Sequence, residues 1–165
     1  MKKLIASGLI AIAAVVGQPL SAAKTAKVEG IYSGVNACLD ATSLAGVSAT
    51  LLMENGWRPG TISADDKQIA TDLRFYGSTS KANEGVVLMA LDDKPICTIT
   101  ARIDRFSMID NLIHAVSTKR ENKPPVQSEG DYYWISKEVI IQMAATGSRS
   151  KPSVRIVIMA QEEKE

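Results

Sequence analysis

Histidine is nearly absent from this 165-residue chain, and its one occurrence, His114, restricts general acid–base chemistry and most transition-metal sites together. Cysteine is almost as scarce: Cys38 and Cys97 with one imidazole are too few ligands for a closed zinc site. The chain has no Gly-x-Ser-x-Gly elbow, no phosphate loop and no dinucleotide fingerprint. Two Ser-x-x-Lys runs, Ser78–Lys81 and Ser148–Lys151, lack the Ser-Asp-Asn and Lys-Thr-Gly companions of penicillin-recognising enzymes and fall in loop-like sequence, so both are rejected. The acidic pairs Asp65-Asp66 and Asp92-Asp93 lack the spaced oxygen ligands of a calcium loop and read as solvated turns. No cofactor is implied.

Charge of one sign is missing too. With Lys2 and Lys3 set aside, 17 basic residues face 18 acidic ones, a formal charge of −1. That balance argues against nucleic acid and against an anionic membrane surface, both of which need a concentrated basic face. The one basic cluster, Lys119, Arg120 and Lys123, is interrupted by Glu121 and followed by Pro124-Pro125, and reads as a solvated loop. After residue 23 no apolar run is long and uncharged enough to span a bilayer; Ala37–Met53 comes nearest and contains Asp40, hydroxyls and Gly46.

What is present begins with an address. Lys2-Lys3, the apolar run Leu4–Val16, the helix-breaking Pro19 and the small residues Ser21, Ala22 and Ala23 form the pattern of a secretory signal peptide over residues 1–23. Cleavage after Ala23 fits best, with Ala22 as the alternative. No cysteine sits at the cleavage point to accept a lipid, so no membrane anchor is expected after cleavage. Residues 24–165 then suit one α+β domain in a periplasmic or secreted location. In that oxidising setting an even cysteine count points to a Cys38–Cys97 disulfide, preferred over a redox pair because Cys-x-x-Cys spacing is lacking.

Periodicity supplies the elements. Ala37–Glu54 reads as one helix, with Asn36 as N-cap, Asn55-Gly56 as stop and a small-residue stripe at Ala37, Ala41, Ala45 and Ala49. Trp57–Lys67 reads as a loop. Three strands follow, Thr71–Gly77, Val86–Leu91 and Ile96–Ile103, the last placing Cys97, Ile99 and Ala101 on one face. Ser107, with Asp110 in capping-box spacing, opens a second helix running to Thr118. A polar linker, residues 119–130, precedes the strands Tyr132–Ser136, Val139–Ala145 and Ser153–Ala160, and residues 161–165 read as a frayed tail. The expected architecture is helix, three strands, helix, three strands: an antiparallel sheet with helices packed on one face.

A cysteine near the start of a helix, Gly56-Trp57 just after it, Cys97 in a strand before a second helix, and Trp134 in a later strand form a pattern over residues 36–160. It resembles small secreted proteobacterial proteins of uncharacterised function. The resemblance implies a disulfide-tied α+β domain and transfers no catalytic residue. In element order the chain is also similar to secretion-chaperone-like domains and to bacterial inhibitor folds built from helix-plus-meander units.

Tyr132, Tyr133 and Trp134 gather three of the eight aromatic residues in one strand, whose alternation sends Tyr133 to the face opposite its neighbours. They are a candidate binding patch, since tyrosine and tryptophan are common interface anchors; the plainer alternative makes Trp134 core and the tyrosines edge cover. The functional expectation is a non-enzymatic exported protein that binds another envelope protein through a sheet face or loop. The alternatives are a carrier of a small apolar ligand held between helix and sheet, and a hydrolase using His114. Against the last, His114 shares a helix face with Asp110 and Asn111, opposite Leu112, and reads as a surface residue.

Overall fold

In the computed structural model, residues 24–61, 63–64, 67–68, 71–91 and 93–162 are described. The expected signal peptide, Asp65, Asp66, Asp92 and residues 163–165 lie outside them. The fold is α+β. Helices α1 (Val28–Ala41), α2 (Ala49–Glu54) and α3 (Met108–Lys119) accompany an eight-stranded sheet: β1 Trp57–Gly60, β2 Leu73–Ser78, β3 Val86–Leu91, β4 Ile96–Arg102, β5 Val126–Ser128, β6 Asp131–Ile135, β7 Val139–Ser148 and β8 Lys151–Ala160. Every pairing in it is antiparallel, in the spatial order β1-β2-β3-β4-β8-β7-β6-β5. Two four-strand meanders therefore meet along β4 and β8, and the second runs inward from its own edge.

Directly opposed residues on antiparallel strands share a face, so the register identifies the core side. One row runs Tyr76, Leu88, Ile99, Ile156, Met143, Tyr132, and the next Ala90, Cys97, Ile158, Ile141, Trp134. All of these except the half-buried Tyr132 are buried. Each large side chain so covered contributes about 1.5–3 kcal/mol of transfer free energy. The opposite rows mix polar with apolar side chains: Tyr133, Gln142, Val157, Thr98 and Met89 are all half-buried.

Helix α1 approaches the core rows through glycine. A Cβ at Gly34 would stand 3.1 Å from Leu88 Cδ2, and one at Gly30 only 2.3 Å from the Ala82 carbonyl oxygen, so glycine is what the close approach admits. Cys38, one turn beyond Gly34, is bonded to Cys97 on β4 with a Cα–Cα separation of 5.7 Å, and both cysteines are fully buried. The expected disulfide is present and ties helix to sheet.

Three expectations need correction. The single helix over Ala37–Glu54 is two helices: α1 starts nine residues earlier, at Val28, and ends at Ala41, where Thr42–Ser43 pairs with Gly46–Val47 in a small hairpin. Gly46, at φ +119°, makes that turn possible, and Ser48 then caps α2 by accepting from Leu51 N–H. The alanine stripe is consequently broken, with Ala37 and Ala41 buried in α1 while Ala45 is exposed in the turn. Secondly, Trp57–Gly60 and Val126–Ser128, read as loop and linker, are the two edge strands. Each pairs on one side only, so neither shows the alternation of a half-buried strand; proline, as at Pro59, is tolerated at such an edge. The eight-stranded sheet thus draws four strands from each half, the first four preceded by α1 and α2 and the second four by α3. Thirdly, Ser107 makes no side-chain cap hydrogen bond, because its own backbone is already helical at φ −63°, ψ −12°.

Reducing agent with alkylation should reveal two thiols only after reduction and denaturation, read by intact mass. Cys38→Ser should lower unfolding free energy by about 2–5 kcal/mol in urea titration. Gly30→Ala should also destabilise, by about 1–3 kcal/mol, because the clash with the Ala82 carbonyl exceeds the gain in helix propensity.

Candidate functional site

Helix α3 delivers its last turn to the β6 side of the sheet. The buried Trp134 indole Nε1–H donates to Ser117 Oγ at 3.1 Å, fixing the helix against the strand that carries the aromatic residues. Just past Ser117 the helix closes, with the Arg120 N–H donating to the Val116 and Ser117 carbonyls. Glu121 (φ +58°) and Asn122 (φ +59°) then turn the chain, and Lys123 N–H donates back to the Arg120 carbonyl at 3.0 Å. Two positive φ values inside a four-residue hydrogen-bonded turn are the type I′ pattern. Such a turn brings its first and fourth residues side by side, here both cations.

Pro124-Pro125 follow and β5 begins at Val126. A second turn of the same kind, Glu129 (φ +52°) and Gly130 (φ +89°), closes the β5–β6 hairpin between Ser128 and Asp131. The result is a pocket of about 250 Å³ lined by Arg120, Lys123, Pro124, Val126, Tyr133, Trp134 and Ile135. Its charge is one-sided. No lining residue is acidic, and the nearest counter-charge to Lys123 is Glu121 at 3.8 Å, with both side chains exposed, where solvent screening leaves little attraction. Among the described residues no carboxylate lies within 4 Å of the Arg120 guanidinium.

The three sequence-selected aromatics separate as alternation requires. Trp134 is 3% exposed, and the half-buried Tyr132 packs against the same core. Tyr133 lies on the opposite face, where its hydroxyl accepts from Gln142 Nε2 at 3.2 Å while the same nitrogen donates to Asp131 Oδ2 at 2.7 Å. Tyr133 and Trp134 both line the pocket; Tyr132 does not. The exposed apolar surface beside them belongs to Val126 and Ile135, each 63% exposed, which sequence reasoning passed over. Arg120 and Lys123 were passed over as well, being read as a solvated loop. An alternating apolar residue at the end of the aromatic strand was the available signal for Ile135; no local signal shows that the cations fold back beside it.

The other candidates stay apart from this pocket. His114 and Asp110 are exposed on α3, and among the described residues no ion pair joins them. Ser78 accepts from Ser80 N–H and Asn83 Nδ2, and Ser80 caps a short 3₁₀ turn, Lys81–Asn83, so the first Ser-x-x-Lys run is structural. The second closes the β7–β8 hairpin, where Ser148 Oγ accepts from Lys151 N–H. Among the described residues no group of three or more histidine, cysteine, aspartate or glutamate side chains is placed to hold a metal ion, and no helix is long and apolar enough to cross a membrane. No protein-family model matches the chain, and neither a curated protein nor a solved structure matches it significantly.

Ser117→Ala should leave the buried indole N–H without its acceptor and cost about 1–3 kcal/mol of stability. Chemical denaturation measures the loss. The Trp134 indole proton, observed by NMR, should shift with it while that of Trp57 stays in place.

Proposed function

We propose that this chain is an exported, non-enzymatic binding protein that engages another envelope protein at the β5–β6 end of its sheet. One observation supports this above the rest: two exposed apolar side chains, Val126 and Ile135, line a pocket together with Tyr133 and the cations Arg120 and Lys123. Interfaces are enriched in this mixture of aromatic, aliphatic and arginine side chains. Export rests on the signal-like residues 1–23 and agrees with a buried disulfide, which forms and persists in an oxidising compartment.

In this reading α1 and α3 both cover the core face of the sheet. The Cys38–Cys97 bond and the Trp134–Ser117 hydrogen bond support that placement, since Cys97 and Trp134 belong to one cross-strand row. The helices then steady one face while the β5–β6 end remains accessible. The carrier reading draws less support, because the space between α1 and the sheet is occupied: Gly34 has the Leu88, Ile99 and Val86 side chains within 3.4 Å of where its Cβ would be. The hydrolase reading has only the exposed His114, away from the pocket.

A photo-crosslinking amino acid placed at Ile135, in the native host, should yield a discrete adduct with an envelope protein; the same group at His114 should not. Ile135→Asp should abolish partner recovery while changing stability by no more than about 0.5 kcal/mol, as expected for an exposed side chain. Equal adducts from both positions would remove the basis for the assignment.

A further inference from the structure

The backbone of β6 changes its surroundings at Tyr133. Strand β5 pairs with Asp131, Tyr132 and Tyr133 and stops, whereas β7 pairs on through Ile135. Just beyond Ile135, Ser136 N–H donates to the Val139 carbonyl on the β7 side. Because successive residues of an antiparallel strand direct their hydrogen-bonding groups to opposite sides, the N–H and C=O of Ile135 face away from β7, toward the pocket. A donor and an acceptor of the main chain therefore stand beside Arg120 and Lys123.

The shape of the site excludes a through-going strand. In line with β5, the position opposite Ile135 is approached by Pro124-Pro125, which have no N–H to give, and Val126 blocks the way one residue further on. A volume of about 250 Å³ also falls below the range usual for cofactors and drug-sized ligands, about 300–1,000 Å³. The space suits the end of a chain. Two cations and an outward N–H select a carboxylate over an ammonium, and Tyr133, Ile135 and Val126, which share one face, offer apolar surface to one adjoining side chain.

We infer that the pocket captures the C-terminus of a partner polypeptide, its free α-carboxylate held by Arg120, Lys123 and the Ile135 N–H and its last, apolar side chain laid against Val126 and Ile135. This deepens the binding reading above and rests on it. Capture of a chain end by a sheet edge combines main-chain pairing, which gives affinity, with a terminal charge, which fixes register.

Acetyl-Gly-Ser-Val-Leu with a free carboxylate, titrated into the disulfide-bonded protein, should bind and shift the Ile135 amide and the Val126 methyl resonances. The C-terminal amide of the same peptide should bind at least about tenfold more weakly, since it leaves the cations unpaired. Arg120→Gln with Lys123→Gln should weaken the acid to the level of the amide, with melting temperature monitored to establish folding. Equal binding of acid and amide to the wild-type protein would overturn the inference, as would undetectable binding of both at millimolar concentration. Hexanoate binding as tightly as the peptide would overturn it as well, assigning the pocket to free fatty acids. Should Ile135 crosslink a partner that the acid peptide does not displace, the capture mode fails while the protein-binding reading stands.

Discussion

Strands β4 and β8 hold the molecule together. Theirs is the pairing that joins the two meanders, and it runs for seven residue pairs, from Arg102 with Ser153 to Ile96 with Met159. The buried members of this ladder, Cys97, Ile99 and Ala101 against Ile158, Ile156 and Val154, are the centre of the core. Either meander alone would leave its strand of that ladder as a free edge. Helix α1 is bonded to the same ladder through Cys97. The core, the disulfide and the joining of the halves are thus one construction.

The parts of the fold legible in sequence were those with many partners. Val86–Leu91 read as a continuous apolar run and is an inner strand, though only Val86, Leu88 and Ala90 are buried, and Ile96–Arg102 alternated cleanly because one face meets the core and the other does not. Helix α3 announced itself through Ile109, Leu112, Ile113 and Val116, of which all but the half-buried Ile113 are buried. Failures clustered where tertiary contact overrides local preference. Gly30 and Gly34 lower helix propensity, yet they lie inside α1 because the helix must pass close to Ala82 and Leu88. The four-residue spacing of alanines suggested a helix running on through Gly46, but periodicity carries no information about where a turn reverses the chain. Edge strands β1 and β5, short and one-sided, have too little burial to imprint a pattern.

The same reasoning separates the parts of the site. Tyr133 and Trp134 could be selected from sequence because aromatic density is a local property. Arg120 and Lys123 could not, since their juxtaposition depends on a turn built from two residues with positive φ, neither of them glycine. Asparagine enters that region readily, whereas glutamate does so uncommonly. Lys119–Lys123 is therefore a charged linker as composition and a paired-cation corner as geometry. The short β5 adds the second condition, ending early enough to leave Ile135 uncovered.

The position of β8 has a consequence for the order in which structure can appear. Residues 151–160 follow every other strand in the chain, yet they form one of the two innermost strands of the sheet. As the polypeptide emerges in sequence, the first meander waits with β4 unpaired on one side, and closure requires a contact such as that of Ile99 with Ile156, 57 residues later. Loop closure over such a distance carries an entropic penalty and slows assembly. A chain of this topology stays open until its late segment is delivered. The last strand to be made is the one that completes the centre of the core.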